Sequence, residues 1–364
     1  MDTTTLDTLF DTMIRKGLHH GAQLAVYKNG SLVYQRSGGF ADRQHRRPVN
    51  PQTPFMIYSV TKTFTAAAVH QLADGGRIDL EAPLAEYWPE FGQKGKQNIT
   101  ISQLLLHQSA IQHPGKLPDI LSWLQPSWAA KRVAGLPIVP QQQGISYYHM
   151  FSAHVALGEL IHRVDGRTPA RYLTEEFLTP LGMNHSHAGL PRKHFPNAAI
   201  PDTADEKQKT AALVFSNSLM RSVFMPAASI NTTATDLGRF YSMLANHGQL
   251  DGRCYLSEDA FARASQLRYD GADGDSDRRI RWSLGWSLGG YSAWPDKYID
   301  IMGSKSTVAT IGHSGQGGCA LAWADPEANL ALAFVNNRFQ AMEESQRRAM
   351  AISDAVRELW GREE

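Results

Sequence analysis

The two ends of the chain carry strand patterns while the middle carries helical ones, and this arrangement restricts the fold more than any other feature. Near the start, residues 23–27 and 31–35 have strand character and flank Asn29-Gly30, two residues that tolerate the positive φ of a tight hairpin turn. Near the end, further strands are predicted at residues 307–311, 319–324 and 330–335. Sequential hairpins form antiparallel pairs, so the sequence predicts an antiparallel sheet assembled from both chain ends.

A helix at each end is predicted to cover this sheet. The first helix has apolar residues at helical spacing, namely Leu6, Leu9, Phe10, Met13 and Ile14. The last helix has an apolar side made of Ile352, Val356, Leu359 and Trp360. Between the ends, helical periodicity dominates at residues 63–75, 102–108, 152–164 and 169–178.

The predicted fold class is therefore α+β, with an antiparallel sheet from both chain ends flanked by helices and a mostly helical inserted region. We expect a discontinuous sheet domain made of residues 1–65 and 200–364 and a helical domain made of residues 66–199. An active site would then lie in the cleft between the two domains.

Composition excludes several function classes. The chain has 364 residues, and its 36 basic and 35 acidic side chains nearly cancel, so no global field attracts nucleic acid or an anionic membrane. No apolar stretch approaches the roughly 20 residues of a membrane span, and the first residues lack a signal-peptide pattern. Two cysteines, Cys254 and Cys319, cannot build a disulfide framework. We expect a cytoplasmic protein, or a periplasmic or secreted one if a signal was removed.

The segment Tyr58-Ser59-Val60-Thr61-Lys62 carries the first chemical signal. On the first turn of a helix, residues three apart project from the same face, so the Lys62 ammonium can approach the Ser59 hydroxyl. A serine hydroxyl is a poor nucleophile without a base, and a desolvated lysine with a lowered pKa can act as that base. By itself this spacing is weak evidence, because a capped helix start looks the same.

The surrounding residues strengthen the signal. Residues 55–65 resemble the nucleophile segment of family VIII carboxylesterases and class C β-lactamases, and Ser-x-x-Lys is also the signature of penicillin-binding proteins. The similarity continues through residues 104–109, where His107 and Ser109 are interpreted as parts of a structural turn, and departs at Ala110, where these proteins usually have glycine. The resemblance spans about residues 5–340, and it implies a β-lactamase/transpeptidase-like fold.

The resemblance also implies a catalytic tyrosine in a second motif, usually Tyr-x-Asn, whose phenolic oxygen shares protons with the serine and the lysine. The sequence has Tyr147-Tyr148-His149-Met150 here, and the asparagine is absent. The variant Tyr-His-x-x-Ser-Ala-His matches at Tyr148, so we choose Tyr148 and keep Tyr147 as the alternative. His154 is expected to line the same pocket. The missing asparagine removes a contact for the acyl amide of a β-lactam.

The third motif contains His313, Ser314 and Gly315 and is similar to the family's Lys-Thr-Gly strand in its His-x-Gly form. The resemblance implies that these residues contact substrate and that the backbone N–H groups of Gln316 and Ser59 form an oxyanion hole. Glycine at this edge lets a substrate approach without meeting a Cβ. A histidine with its ordinary pKa of about 6.5 is mostly neutral at pH 7, so it lacks the permanent charge that lysine offers to a carboxylate.

Together these motifs predict a serine hydrolase that acts through an acyl-Ser59 intermediate on a small-molecule ester or amide, with no cofactor, metal, nucleic-acid or membrane partner. A carboxylesterase acting on small esters is favoured. A β-lactamase, a D-amino-acid peptidase or amidase, and an acyltransferase remain alternatives, as does a non-catalytic binding or sensor protein on the same fold. The 14 histidines form no His-Glu-x-x-His spacing, which disfavours a metalloenzyme. The natural substrate and the oligomeric state stay open.

Several large aromatic residues could supply a wall of the pocket, although they are as often ordinary core. They are Trp123, Trp128, Trp282, Trp286 and Tyr291.

Overall fold

A computed structural model describes residues 2–44, 46–112, 122–203, 205–274, 279–290 and 300–361. The strands in chain order are β1 (Gly21–Lys28), β2 (Ser31–Asp42), β3 (Arg47–Pro48), β4 (Phe55–Met56), β5 (His187–Ala188), β6 (Asp202–Thr203), β7 (Ile230–Thr232), β8 (Gln249–Leu250), β9 (Arg253–Cys254), β10 (Tyr269–Ala272), β11 (Arg279–Trp282), β12 (Ser287–Leu288), β13 (Ile311–Ser314), β14 (Ala320–Asp325), β15 (Leu330–Asn336) and β16 (Arg338–Phe339).

The α-helices are α1 (Thr4–Arg15), α2 (Thr61–Asp74), α3 (Leu84–Tyr87), α4 (Ile101–Leu105), α5 (Pro126–Gly135), α6 (Ser152–Asp165), α7 (Pro169–Leu173), α8 (Lys209–Ser216), α9 (Ser218–Ser222), α10 (Ala234–Ala245), α11 (Glu258–Ser265) and α12 (Met342–Trp360). A π turn, Thr174–Leu178, continues α7. Single 3-10 turns occur at Tyr58–Val60, Pro89–Phe91, Pro140–Gln142, Arg192–Asn197, Glu206–Gln208 and Gln316–Gly318.

The predicted antiparallel sheet is confirmed. Within the described residues its spatial order is β10-β11-β12-β13-β14-β15-β1-β2-β3, so that the C-terminal strands and the N-terminal hairpin meet where β15 pairs with β1. The hairpin turns at Asn29 and Gly30, which both have positive φ, as predicted. β14 and β15 are buried along their whole length because both faces of the sheet are covered, which explains their continuous apolar sequences.

Helices cover both faces of the sheet. On one face, α1 and α12 contribute Phe10 and Val356 to a core that also contains Leu332 of β15. On the other face, α10 packs against β1, β14 and β15, and Leu237 lies in the larger core together with Ala333. The sheet therefore forms the middle layer of three, and burial on both faces fixes its register.

Helix α2 lies inside the larger core and is buried on nearly every side. The Phe64 ring stacks on Phe240 of α10 with centroids 3.7 Å apart. On another side, Gly285 approaches so closely that a Cβ there would come within 2.5 Å of Ala66 Cβ. This packing holds the first turn of α2, which carries Lys62, in one place.

One predicted strand is wrong in its position. Residues 307–311 were expected to be extended, but the strand begins only at Ile311. The Thr307 side chain accepts the N–H of Ala309, and the Thr310 side chain accepts the N–H of Thr307. Threonine hydroxyls compete with sheet hydrogen bonds in this way, and here they stabilise a turn.

The helices predicted for the middle of the chain are present as α2, α4, α6 and α7 with its π turn. The division into domains at residues 65 and 200 stays a prediction. In the part of the chain that the structure describes, no helix has both the length and the apolar character needed to cross a bilayer.

Candidate active site

Ser59 lies in the 3-10 turn Tyr58–Val60, immediately before α2 rather than inside it. The N–H of Ile57 donates to the Ile230 carbonyl at 3.0 Å, which ties this turn to β7. Ser59 is partly exposed, whereas its neighbours on both sides are buried. The turn therefore leaves the Ser59 side chain partly exposed between two buried neighbours.

Lys62 is the buried partner of this hydroxyl. Its Nζ lies 3.0 Å from Ser59 Oγ and donates to the Ala227 carbonyl at 3.1 Å. The side chain is 1% exposed, and no carboxylate pairs with it among the described residues. Burial alone lowers the pKa of Lys62 from 10.5 to about 7. A neutral amine is thus accessible near pH 7, and it can accept the Ser59 proton.

The structure brings Tyr148, and not Tyr147, to this pair. Lys62 Nζ lies 5.1 Å from the centre of the Tyr148 ring. Burial raises the pKa of Tyr148 above its usual range, and the nearby Ser59 hydroxyl opposes part of that rise. The Tyr147 ring instead packs on Gly274, where a Cβ would overlap it. Tyr148 therefore has the position expected of the second-motif tyrosine, with its phenol protonated at neutral pH.

His313, on β13, is 6% exposed and held in one tautomer. Its Nδ1 lies 2.7 Å from the Ser314 carbonyl, so Nδ1 carries the proton and donates it to that oxygen. Nε2 is then an acceptor, and it has no partner among the described residues. Burial, and secondly the charge of Lys62, lower the pKa of His313 to about 3. The ring is neutral at physiological pH, and the third motif carries no positive side chain at this position.

The loop after β13 carries Gln316, whose backbone N–H is expected to form the second half of the oxyanion hole. Gln316 begins a 3-10 turn and is exposed, with its side-chain amide 3.4 Å from Gln208 Oε1. In the described part of the chain, neither the Ser59 nor the Gln316 backbone N–H donates a hydrogen bond. Both groups are therefore available to a ligand oxygen, as an oxyanion hole requires.

Gly315 packs against the turn that carries Ser59, and its predicted contact with substrate stays a prediction. A Cβ at this position would come within 2.8 Å of the Ile57 carbonyl oxygen. Glycine is thus required because the loop after β13 packs directly against the turn that carries Ser59. The close approach of these two backbones places Ser314 and Gln316 beside the serine.

A layer of buried rings lies against Tyr148; the sequence had suggested His154 and Trp282 for the pocket, but not His107. The His107 ring centre is 4.8 Å from that of Tyr148, 5.2 Å from that of Trp282 and 5.4 Å from that of His154. His107 has a φ of +57°, and its Nδ1 accepts the N–H of His149 at 3.0 Å. The interpretation of this segment as a turn is correct for the backbone, but the side chain also packs against the candidate tyrosine.

His154 lies on the inner side of this layer. It is fully buried, and within the described residues both of its ring nitrogens lack a hydrogen-bond partner. Burial, and then the charge of Lys62, hold its pKa well below the usual value. The ring contacts His107, and its predicted contact with substrate stays a prediction.

Among the aromatic residues considered as a pocket wall, only some have that position. The Trp282 ring centre is 5.9 Å from that of His313, so this side chain borders the site. Trp286 is fully buried core, Trp123 packs on Phe151, and Trp128 is exposed. Tyr291 lies outside the described residues.

Comparisons with known proteins agree with this geometry. Residues 6–357 match the Beta-lactamase family. Esterase/beta-lactamase LipL of Mycobacterium tuberculosis is 30% identical over 347 residues, which cover 87% of this chain and 77% of that protein.

Solved structures have the same fold. A penicillin-binding protein homologue from Caulobacter crescentus superposes with a TM-score of 0.81 and 29% identity, covering 97% of this chain and 96% of the other. A family VIII carboxylesterase gives a TM-score of 0.82 and 26% identity, with 96% of each chain covered.

These likenesses confirm the predicted β-lactamase/transpeptidase-like fold and the predicted enzyme class, a serine hydrolase. The individual roles of Ser59, Lys62, Tyr148 and His313 stay predictions that the geometry supports. With the match over nearly its whole length, the chain belongs to the Beta-lactamase family.

Proposed function

We propose that this protein is a carboxylesterase that cleaves small, uncharged esters through an acyl-Ser59 intermediate. The observation that carries this proposal is the contact between Ser59 Oγ and the Nζ of Lys62, a buried lysine that has no carboxylate partner among the described residues. A nucleophile beside a base that is neutral near pH 7 is the arrangement that acyl transfer needs.

In the first half-reaction, the Ser59 proton moves to Lys62 Nζ as Ser59 Oγ bonds to the ester carbonyl carbon. The carbonyl oxygen becomes an oxyanion that the backbone N–H groups of Ser59 and Gln316 stabilise. The C–O bond to the alcohol then breaks, and the alcohol leaves with the proton, which Tyr148 relays. In the second half-reaction, water attacks the acyl carbon and gives a proton to Lys62 Nζ. The bond between the acyl carbon and Ser59 Oγ then breaks, Ser59 Oγ takes up that proton, and the carboxylic acid leaves.

The preference for uncharged esters follows from His313. A penicillin or cephalosporin carries a carboxylate beside its reactive ring, and a buried neutral imidazole offers that group no charge. Binding a carboxylate against an uncharged and largely buried surface costs desolvation energy without a compensating ion pair. An ester without a carboxylate avoids this cost. The name of the relative LipL includes both activities, so the balance between them must be measured for this chain.

The test compares kcat/KM for p-nitrophenyl acetate and butyrate with that for a chromogenic cephalosporin and for D-Ala dipeptides. Ser59→Ala should abolish turnover of every substrate, and Ser31→Ala, which removes an exposed serine at the start of β2, should not change it. Mass spectrometry after treatment with an active-site-directed phosphonate should find the adduct on Ser59. Full turnover by Ser59→Ala would refute the mechanism, while a cephalosporin value equal to the ester value would refute only the substrate preference.

A further inference from the structure

The residue before the nucleophile has an unusual backbone conformation. Tyr58 has a φ of +48°, in the left-handed region that side chains with a Cβ rarely adopt. Glycine, asparagine and aspartate tolerate this region best, and a bulky aromatic residue is a true outlier there. Such a conformation persists only where the surroundings enforce it, and it is concentrated at functional sites.

Two aromatic rings flank the Tyr58 side chain. The Tyr58 ring is 3% exposed and meets Phe215 of α8 edge-on, with centroids 5.2 Å apart and planes at 80°. On its other side it meets Phe339 of β16, with centroids 5.3 Å apart and planes at 66°. Buried Cys319 completes the same apolar cluster. The Tyr58 hydroxyl makes no hydrogen bond within the described residues, so among these residues the side chain is held by packing.

The same rings also contact the other half of the site. A Cβ added at Gly317 would come within 2.8 Å of Phe339 Cα, so this phenylalanine supports the loop that carries Gln316. Phe339 therefore touches Tyr58, next to Ser59, and Gly317, next to Gln316. The backbone N–H groups of Ser59 and Gln316, which have no acceptor among the described residues, therefore both lie next to a residue that contacts this aromatic cluster.

We propose that Tyr58, Phe215 and Phe339 form an aromatic clamp that sets the relative position of the Ser59 and Gln316 N–H groups, and that Tyr58 is a positioning residue for acyl transfer. The clamp rests on the proposed function, because it deepens the role of the same oxyanion hole. It acts through the backbone, since the Tyr58 ring fixes φ and φ fixes where Ser59 points. A displacement of about 1 Å at a reacting group can cost on the order of a hundredfold in rate.

The experiment is a double-mutant cycle on kcat. Phe215→Ala removes one of the two rings that contact Tyr58. We expect kcat for p-nitrophenyl acetate to fall at least about tenfold while KM stays within about twofold, because the lost interaction stabilises the transition state. Leu213→Ala is the matched control: it truncates an apolar side chain on the same helix that is 74% exposed and outside the clamp, and kcat should not change. Tyr58→Phe keeps the ring and should keep kcat.

Tyr58→Gly separates positioning from packing. Glycine adopts the left-handed conformation without a side chain to be clamped, so adding Phe215→Ala to this background should change kcat less than about twofold. An equal loss of kcat from Phe215→Ala in both backgrounds would overturn the clamp. The clamp would also be overturned if Phe215→Ala and Tyr58→Gly each had a normal kcat and a lower melting temperature, because the rings would then contribute to stability alone. If Phe215→Ala does not fold, Phe215→Leu and Phe339→Leu replace it.

A second readout keeps this inference distinct from the proposed function. The rate at which the phosphonate labels Ser59 reports oxyanion stabilisation without requiring turnover. Wild-type protein that is neither labelled nor active on any ester would refute the proposed function itself. Wild-type protein that is labelled at the same rate as Phe215→Ala would refute the clamp and leave the acyl-Ser59 mechanism intact.

Discussion

Lowering the pH from 8 to 6 should reduce ester hydrolysis by this protein about tenfold, because the base that activates Ser59 becomes protonated. Lys62 has a pKa of about 7 as a result of burial. An amine with that pKa is about 90% neutral at pH 8, about 50% at pH 7 and about 10% at pH 6. We therefore expect kcat/KM to fall about tenfold between pH 8 and pH 6, with a single ionisation near pH 7.

The titratable side chains around Lys62 should not contribute to the pH dependence of kcat/KM in this range. Burial lowers the pKa of His313 to about 3 and holds that of His107 well below the ordinary histidine value, while burial raises the pKa of Tyr148. None of these three side chains changes its charge between pH 6 and 8. The inflection therefore reports Lys62, since kcat/KM reflects ionisations of the free enzyme.

The assay follows p-nitrophenyl butyrate hydrolysis at the isosbestic wavelength of p-nitrophenol, so that ionisation of the product does not distort the rates. Lys62→Arg is the informative variant, because a guanidinium stays protonated at every accessible pH and should give no activity at pH 8. A profile that is flat between pH 5.5 and 8.5, or one whose midpoint lies near the ordinary lysine value, would refute the assignment of Lys62 as the base.

Three further outcomes are expected. Lys62→Met should raise the free energy of unfolding at pH 7, measured by urea titration, by up to about 4 kcal/mol. The folded pKa of Lys62, about 7, lies below the unfolded value of 10.5, so the wild-type protein loses stability at pH 7 and regains it only as the pH rises towards 10.5. A lower free energy of unfolding in the variant would contradict this. His313→Lys should raise the cephalosporin-to-ester ratio of kcat/KM about tenfold or more by adding a charged donor for the carboxylate, and an unchanged ratio would remove His313 as the determinant. Tyr148→Phe should lower kcat about a hundredfold while Tyr147→Phe stays within about twofold, and the reverse pattern would move the proton relay to Tyr147.

Most of the fold, and the approach of Lys62 to Ser59, could be predicted from local sequence patterns. The hairpin at Asn29-Gly30 and the apolar runs of β14 and β15 are properties of neighbouring residues, so they are visible without a structure. The approach of Lys62 to Ser59 follows from helical spacing in the same way. Where local chemistry was misjudged, as for residues 307–311, side-chain hydrogen bonds to the backbone had replaced those of a strand.

The rest of the site depends on contacts between distant parts of the chain. The Ala227 carbonyl that accepts from Lys62 is 165 residues away from it, and a backbone oxygen leaves no trace in a sequence. Trp282 was one of several tryptophans that could have lined the pocket, and only the pairing of β11 with β12 places it beside His313. The positive φ of Tyr58 contradicts its residue type, so packing overrides local preference there.

The burial of α2 on nearly every side links the chemistry of this enzyme to the stability of the whole molecule. Surface helices open in local fluctuations, but a helix that is enclosed by core can expose its amides only when the surrounding core opens. The backbone amides of α2 should thus belong to the slowest-exchanging set in hydrogen–deuterium exchange. Heating should also destroy activity and tertiary structure in the same transition, because Lys62 lies on a helix that the main core encloses.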